Sequence, residues 1–209
     1  MKKLFATFIA IVAFVAVAIA QTPKEIVSGM EAEMSRHANE GVYMMADAKI
    51  ILGTITTKTY TLGKKTRSEA SMLGVEIITW TDGETVWTYN VKDNEVQIEN
   101  SNLKTNSESG DLDMFNGITD GYDVSIDKET ANEWHLVCKK SKDNPDKDAP
   151  KKMDLVIAKD TYRPVSLSTK VEGIKITMYN ISFGVTEEEV TFNPVNYPGV
   201  KINDKRDKQ

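Results

Sequence analysis

The chain has 209 residues, of which 40% are hydrophobic and 27% are charged, with a formal net charge of −5. This is the composition of a globular protein, and the length suits one large domain or two small ones. The net negative charge argues against binding to nucleic acid or to an anionic lipid surface, because like charges repel. A single cysteine, Cys138, excludes an internal disulfide and any multi-cysteine metal site. We expect it to be a small buried core residue.

The first twenty residues predict a secretory signal peptide. Two lysines precede an apolar run over residues 4–19, which ends in Ala18-Ile19-Ala20. A basic start, an apolar stretch and a small-x-small cleavage site are the parts of such a peptide. We expect cleavage after Ala20 and an exported mature domain of residues 21–209, with 24 basic and 31 acidic residues and a net charge of −7. The alternative is an uncleaved transmembrane helix, for which the run is short, since a span takes about 20 residues.

A helix is predicted at the start of the mature chain. Thr22 can cap it, Pro23 suits its first turn, and Glu25 completes a capping box. We expect the helix to end near Gly41, which fits a C-terminal cap. The positions that recur at helical spacing on its apolar stripe are Ile26, Met30, Met34 and His37. Methionines pack in cores by default, and they also suit a surface that accepts variable apolar shapes.

From Val42 onward the hydrophobic period is two, which predicts β-strands. The clearest hairpin joins 75–81 to 84–91 through Asp82-Gly83, for which we predict a type I′ turn that places Ile78 opposite Trp87. One face then carries Ile78, Trp80, Trp87 and Tyr89, and the other carries Val75, Ile77 and Val86. Because both faces are apolar, one of them meets a covering layer or a cavity, or the sheet belongs to a two-layer sandwich.

The remaining pattern completes a fold of mainly β class with helices (α+β). Further strands are predicted at 54–62, 95–101, 122–127, 133–140, 153–158, 164–171 and 174–183. A short helix is predicted over 109–118, with an apolar face of Leu112, Met114 and Phe115. A long meander with two helical pieces suggests one strongly curved antiparallel sheet with the helices on its concave side.

No catalytic motif accompanies these elements. HExxH, GxSxG, a phosphate-binding glycine loop and CxxC are all absent from the sequence. His37 and His135 lack a partner histidine at ligand spacing, so we predict no metal site. Carboxylate pairs such as Asp111 and Asp113 lie in polar, turn-like contexts, where solvation explains them. We therefore predict that the protein is not an enzyme; a hydrolase using scattered carboxylates is the disfavoured alternative.

Two segments resemble the LolA-like family of periplasmic outer-membrane lipoprotein carriers. The 75–89 hairpin, with its Thr-Asp-Gly turn and Thr85-Val86-Trp87-Thr88-Tyr89-Asn90 strand, looks like a hairpin of that family. Val190-Thr191-Phe192-Asn193-Pro194, followed by Tyr197-Pro198-Gly199-Val200, is similar to its closing segment. Between these segments, strands over 153–183 follow the family's order of late strands, so that the resemblance covers nearly all of the mature chain.

The resemblance implies an incomplete β-barrel with helices across its open side and a hydrophobic space that shelters acyl chains. Such a carrier takes acylated lipoproteins from an ATP-driven release complex in the inner membrane and delivers them to the outer membrane, where the acceptor is left open. It needs no cofactor and makes no bonds. We expect a periplasmic monomer. Since an exposed acyl chain costs about 0.8 kcal/mol per CH₂ in water, a carrier needs a large apolar cavity.

The resemblance also implies where the lipid binds. The expected cavity wall and lid are formed by Met30, Met34, Ile78, Trp80, Trp87, Tyr89, Leu112, Met114 and Phe115. The family's lid-latching arginine, in an Arg-Pro pair before the third strand, has no clean counterpart, and Lys65 and Arg67 are the candidates for its role.

Two interpretations of function stay open at this point. The first is a lipoprotein carrier, and the second is an exported β-sheet module that binds a free lipid or a cell-envelope protein without a role in sorting. A bound lipoprotein would support the first interpretation, and an extractable bound lipid would support the second.

Overall fold

A computed structural model describes residues 21–101, 115, 117–144 and 146–206. The signal peptide predicted at 1–20 and the lid residues Leu112 and Met114 lie outside the described residues. The helices are α1 (Pro23–Arg36), α2 (Ile118–Gly121) and α3 (Glu187–Val190), with a 3₁₀ turn at Pro194–Asn196. The strands are β1 (Val42–Ile50), β2 (Gly53–Leu62), β3 (Lys65–Met72), β4 (Val75–Thr81), β5 (Thr85–Asn90), β6 (Glu95–Asn100), β7 (Tyr122–Glu129), β8 (Glu133–Lys140), β9 (Lys152–Ala158), β10 (Pro164–Val171), β11 (Ile174–Phe183) and β12 (Lys201–Asp204).

All described strands belong to one curved sheet, in the order β12-β6-β5-β4-β3-β2-β1-β11-β10-β9-β8-β7. Every neighbouring pair is antiparallel except β12 and β6, which run parallel. Within the described part of the chain, β7 and β12 each have a single neighbour, so the sheet does not close. The predicted fold class, a single curved antiparallel sheet in an incomplete barrel, is confirmed.

Helix α1 begins as the sequence predicts. The Thr22 side chain accepts a hydrogen bond from the Glu25 backbone N–H, and the Glu25 carboxylate accepts one from the Thr22 backbone N–H. The helix ends at Arg36, before the predicted Gly41. Gly41 instead precedes β1 with a φ of 71°, where a Cβ would lie 2.7 Å from the Thr61 carbonyl oxygen. This close approach, and not a helix cap, requires glycine there.

The hydrophobic core lies between α1 and the concave face of β1 and β7–β11. On the helix side it contains Ile26, Val27, Met30 and Met34. On the sheet side it contains Val42, Met44, Trp134, Leu136, Cys138, Met153, Leu155, Ile157, Leu167 and Met178. Among the described helices, none has the length and hydropathy needed to cross a membrane.

The predicted hairpin forms with a different turn. Trp80 pairs with Trp87 and Ile78 pairs with Tyr89, so the predicted pairing of Ile78 with Trp87 is wrong. The Asp82 carboxylate accepts hydrogen bonds from the backbone N–H groups of Glu84 and Thr85, at 2.9 and 2.7 Å. Asp82 therefore comes before the two central residues of the turn, Gly83 and Glu84. A type I′ turn needs a positive φ at both central residues, and only Gly83 has one, so the turn is not type I′. The observed pairing differs from the predicted one by two residues. Because side chains alternate with a period of two, the predicted sharing of one face by Ile78, Trp80, Trp87 and Tyr89 is still correct.

Two strands and two helices differ from the sequence prediction, one of them the short helix α3, which the sequence does not predict. Strand β3 was not predicted because its sequence, KTRSEASM, lacks a clear apolar alternation. Strand β12 was not predicted because it is a four-residue segment that depends on its parallel neighbour β6. In the described residues the mid-chain helix occupies 118–121, at the end of the predicted 109–118 segment, and Phe115 before it is fully buried in the core.

We predict that Leu155→Ala lowers the free energy of unfolding by about 2–5 kcal/mol, because Leu155 is fully buried and its truncation leaves a cavity. Leu52→Ala is the matched control, since Leu52 is 72% exposed and its truncation leaves no cavity. Urea unfolding of the two variants measures the difference. Equal effects would contradict the placement of the core.

Candidate functional site

The two faces of the sheet can be followed without interruption from β1 to β6, because no register shift occurs between these strands. Residues paired across neighbouring strands lie on the same face. The row that starts at the core residue Met44 continues through Thr59, Ser68, Thr79 and Thr88. This row defines the concave face. The adjacent row, on the convex face, is Tyr43, Tyr60, Arg67, Trp80 and Trp87.

Methionines line the interface between α1 and the concave face. The buried members are Met30, Met34, Met44, Met153 and Met178. Phe115 is buried in the same cluster. The structure thus brings together three residues of the predicted lipid site, namely Met30, Met34 and Phe115. Unbranched, polarizable methionine side chains adapt to different neighbours, so this interface can repack around another apolar chain.

A buried carboxylate on α1 ties the helix to the sheet. Glu33 is 5% exposed and contacts Arg163 Nε at 3.2 Å, Arg36 Nη2 at 2.8 Å and His37 Nε2 at 3.1 Å. Arg163 lies in the β9–β10 turn and also packs over the Phe183 ring, on which His37 stacks. We call Glu33, Arg36, His37 and Arg163 the Glu33 clasp. Burial acts to raise the pKa of Glu33, but the hydrogen bonds from Arg163 and His37 outweigh it and hold that pKa below its ordinary value.

A second polar contact joins α1 to α2. The Glu31 carboxylate accepts hydrogen bonds from the Thr119 backbone N–H at 3.2 Å and from the Thr119 hydroxyl at 2.6 Å. Together with the Glu33 clasp, this contact supplies polar tethers for α1, whose apolar residues rest on methionines.

The concave face of β2–β4 has a different lining. Its side chains are small and half-buried, and none of them belongs to the α1 core: Thr57, Thr59, Ser68, Ala70 and Thr79. We call these five residues the threonine trough. Beyond it, across β4–β6, lies a cavity of about 270 Å³ lined by Ile77, Thr88, Asn90, Asp93, Glu95 and Gln97. Ligand pockets span about 300–1,000 Å³, so this cavity is too small for an acyl chain without a further opening.

The predicted aromatic wall lies on the convex face. Trp80 contacts Phe192 and Tyr197, with ring centroids 5.3 and 5.7 Å apart, and Tyr89 contacts Tyr197 at 4.9 Å. Phe192 and Tyr197 belong to the segment after β11, which covers β4–β6 from outside. Ile78, Trp80, Trp87 and Tyr89 share this face, and the ladder separates them from Met30 and Met34. The predicted site residues therefore form two clusters on opposite faces and not a single cavity wall.

The candidate latch residues also lie on the convex face. Lys65 forms an ion pair with Glu187 of α3. Arg67 forms an ion pair with Glu69, and its guanidinium lies over the rings of Tyr60 and Trp80, at 5.3 and 5.7 Å from their centroids. Neither residue is part of the clasp on α1.

Arg163, in the β9–β10 turn, is the cationic partner of α1 that the sequence does not predict. The available signal was Glu33, an acidic residue on the apolar stripe between Met30 and Met34. A carboxylate on such a stripe needs a buried partner.

Among the described residues, no group of three or more His, Cys, Asp or Glu side chains is placed to hold a metal ion. Cys138 is fully buried, and burial raises the pKa of its thiol to about 12. A thiol with that pKa stays protonated at neutral pH and is a poor nucleophile. Cys138 is thus a core residue, as predicted.

No protein-family model matches the sequence, and no curated protein sequence matches it. Among solved structures, the chain is similar to LprF from Mycobacterium bovis, with 11% identity, coverage of 83% of this chain and 99% of that chain, and a TM-score of 0.53. It is also similar to an uncharacterized conserved protein from Thermus thermophilus (16% identity, 87% and 98% covered, TM-score 0.47). A LolA superfamily protein from Nitrosomonas europaea matches with 10% identity, 84% and 100% coverage and a TM-score of 0.33. At 11% identity, the likeness to LprF concerns the fold alone.

We predict that Glu33→Gln lowers the free energy of unfolding at pH 7 by about 1–3 kcal/mol, because charge-assisted hydrogen bonds from Arg163 and Arg36 are lost. The pKa of Glu33 is lower in the folded protein than its ordinary 4.5. Its stabilisation is therefore present above about pH 4.5 and is lost as the pH falls through the folded-state pKa. Urea unfolding at pH 7 and at lower pH measures the wild-type-minus-variant difference, which should shrink in acid.

Glu84→Gln is the control for this series, because Glu84 is exposed in the β4–β5 turn. If the difference in unfolding free energy between the wild type and Glu33→Gln stayed constant across the pH range, the role of the carboxylate in the clasp would be contradicted.

Proposed function

We propose that this protein is a periplasmic carrier that shelters the acyl chains of lipoproteins between α1 and the concave face of its sheet. The observation that supports this function best is the methionine-lined interface under α1, where the Glu33 clasp ties the helix to the sheet. An amphipathic helix held in this way can be exchanged for an acyl chain, since both present apolar surface to the same side chains.

The energetics favour such an exchange. Each acyl CH₂ removed from water contributes about 0.8 kcal/mol, so a chain of ordinary length can offset the loss of the clasp and of part of the α1 packing. The threonine trough lies on the same face as the α1 core and carries small uncharged side chains, which leave room for a chain that extends past the helix. Binding thus requires α1 to move outward from its position in this structure.

The proposed carrier function also specifies a cellular compartment and binding partners. The predicted signal peptide directs the mature chain to the periplasm, where a monomer receives acylated lipoproteins from the inner-membrane, ATP-driven release complex and brings them to the outer membrane. The protein acts by binding alone, without catalysis or a cofactor.

The direct test is solubilisation of a lipoprotein. The mature chain from Gln21 is incubated with membranes that contain an acylated lipoprotein, and a soluble one-to-one complex is expected. Extractable free lipid in the purified protein, without lipoprotein capture, would favour the alternative of an exported lipid-binding module. Neither lipoprotein nor lipid bound to a folded protein would overturn both.

We predict that Ala70→Trp, which fills the threonine trough, lowers the yield of this complex by about tenfold or more, because the indole occupies space that the acyl chain needs. Ser71→Trp is the matched control, since Ser71 is the next residue of β3, is exposed and points to the convex face. Equal yields for the two variants would place the acyl chain elsewhere.

We also predict that Glu33→Gln tightens binding of a soluble fluorescent fatty acid by about three- to tenfold. Weakening the clasp raises the population of protein with α1 displaced, and apparent affinity rises with the binding-competent fraction. Fluorescence titration measures the change. A less stable variant with unchanged affinity would show that α1 does not control access.

A further inference from the structure

Apolar side chains project from three adjacent hairpin tips at one end of the sheet. The tips connect β1 to β2, β3 to β4 and β10 to β11, and the strand order places these hairpins side by side. Ile51 is fully exposed, and Leu52 and Leu73 are 72% and 74% exposed. We call Ile51, Leu52, Leu73, Val171 and Ile174 the apolar tip surface. With strands about 4.8 Å apart, neighbouring tips lie about 10 Å from each other.

Folding does not account for these residues. Turns favour Gly, Asn, Asp and Ser, yet the β1–β2 turn carries Ile51-Leu52. Leu73 adopts a φ of 51° and Gly74 a φ of 79°, at positions where Asn-Gly is the preferred pair. A leucine in the left-handed region is uncommon. Leucine at this tip is strained and exposed, and it gains no packing in return.

The opposite end of the same sheet is polar. Its turns contain Gly63-Lys64, Asp82-Gly83-Glu84, Thr130-Ala131-Asn132 and Lys159-Asp160-Thr161. The two tips that flank the apolar ones, at 91–94 and 141–151, are also mainly polar. The apolar residues are therefore concentrated on the central hairpins of one end.

A row of lysines lies directly below the apolar tip surface. Lys170 pairs with Lys175, and Lys175 pairs with Lys49, so three ammonium groups stand on one face across three neighbouring strands. All three are exposed, and within the described residues none has a carboxylate at ion-pair distance. Like charges placed directly opposite each other are destabilising in a sheet. An anionic partner would remove this cost.

We infer that the apolar tip surface and its lysine row form a docking surface for an anionic phospholipid bilayer. The tips enter the boundary between headgroups and acyl chains, and the lysines contact lipid phosphates. Although the chain as a whole is negative, each lysine within a Debye length of an anionic leaflet is attracted to its surface. Glu172 and Glu76 lie at the same end, and the flanking tips carry Asp93, Asp143, Asp146 and Asp148, so the unpaired positive charge is confined to the lysine row.

The chemistry of the tips favours lipid over a protein partner. Protein interfaces concentrate their binding energy in Trp, Tyr and Arg, with Leu and Val under-represented. The apolar tip surface contains only Ile, Leu and Val. These side chains project from separate turns. Such an arrangement suits insertion into a fluid lipid surface better than packing against a rigid, shape-complementary protein surface.

Docking is independent of acyl-chain binding, so the two proposals are tested separately. The mature chain is sedimented with vesicles of phosphatidylcholine alone and of phosphatidylcholine mixed with phosphatidylglycerol. We expect binding to the mixed vesicles that weakens as salt is added. Ile51→Asp combined with Leu52→Asp should lower the vesicle affinity by about tenfold or more, since two apolar groups are replaced by charges. The same variant should still bind a soluble fluorescent fatty acid.

Val195→Asp is the matched control, because Val195 is 81% exposed on the 3₁₀ turn and is not part of the apolar tip surface. Lys49→Gln with Lys175→Gln should reduce binding to the mixed vesicles at low salt and leave the fold intact. The inference is overturned if the wild-type chain does not bind vesicles, or if the tip variant and Val195→Asp lose binding equally. Tip-dependent dimerisation without vesicle binding would also overturn it, in favour of a second copy of the chain.

Discussion

The alternation of side chains along an unbroken ladder is the constraint on which the rest of this structure depends. From β1 to β6 no register shift occurs, so a residue on one face of β1 determines which residues share that face five strands away. The sheet is apolar on its concave face near β1 and on its convex face near β4–β6. Each apolar area then needs its own cover, which α1 provides inside and the segment after β11 provides outside.

The two covers are held differently. Aromatic rings and a parallel strand fix the outer segment: Phe192 and Tyr197 pack on Trp80, and β12 pairs with β6. Helix α1 has no strand pairing and rests on methionines, with a buried carboxylate bound by cations from its own last turn and from the β9–β10 turn. Apolar contacts are non-directional, whereas the clasp depends on geometry and charge. The inner cover is therefore the one that a ligand can replace with least loss of order.

An acyl carrier has to meet a membrane as well as a ligand. We propose the concave face for the acyl chain and the apolar tip surface for the membrane; the two lie in separate places, and β1–β3 contribute to both. The polar end of the sheet carries the Arg163 turn, so the clasp on α1 lies away from the tips. This arrangement allows contact with a bilayer without directly disturbing the groups that hold the helix.

The sequence by itself determined most of the strands, though not β3 or β12, together with the start of α1 with its capping box and the sharing of one face by Ile78, Trp80, Trp87 and Tyr89. These features are local, since they follow from hydrophobic period and from hydrogen bonds within three residues. Only the tertiary structure decided that Trp80 lies outside while Met34 lies inside, that Arg163 reaches Glu33, and that β12 joins β6. Those facts depend on which strands become neighbours. A period-two pattern that is apolar on both faces carries no information about which face the helix will cover.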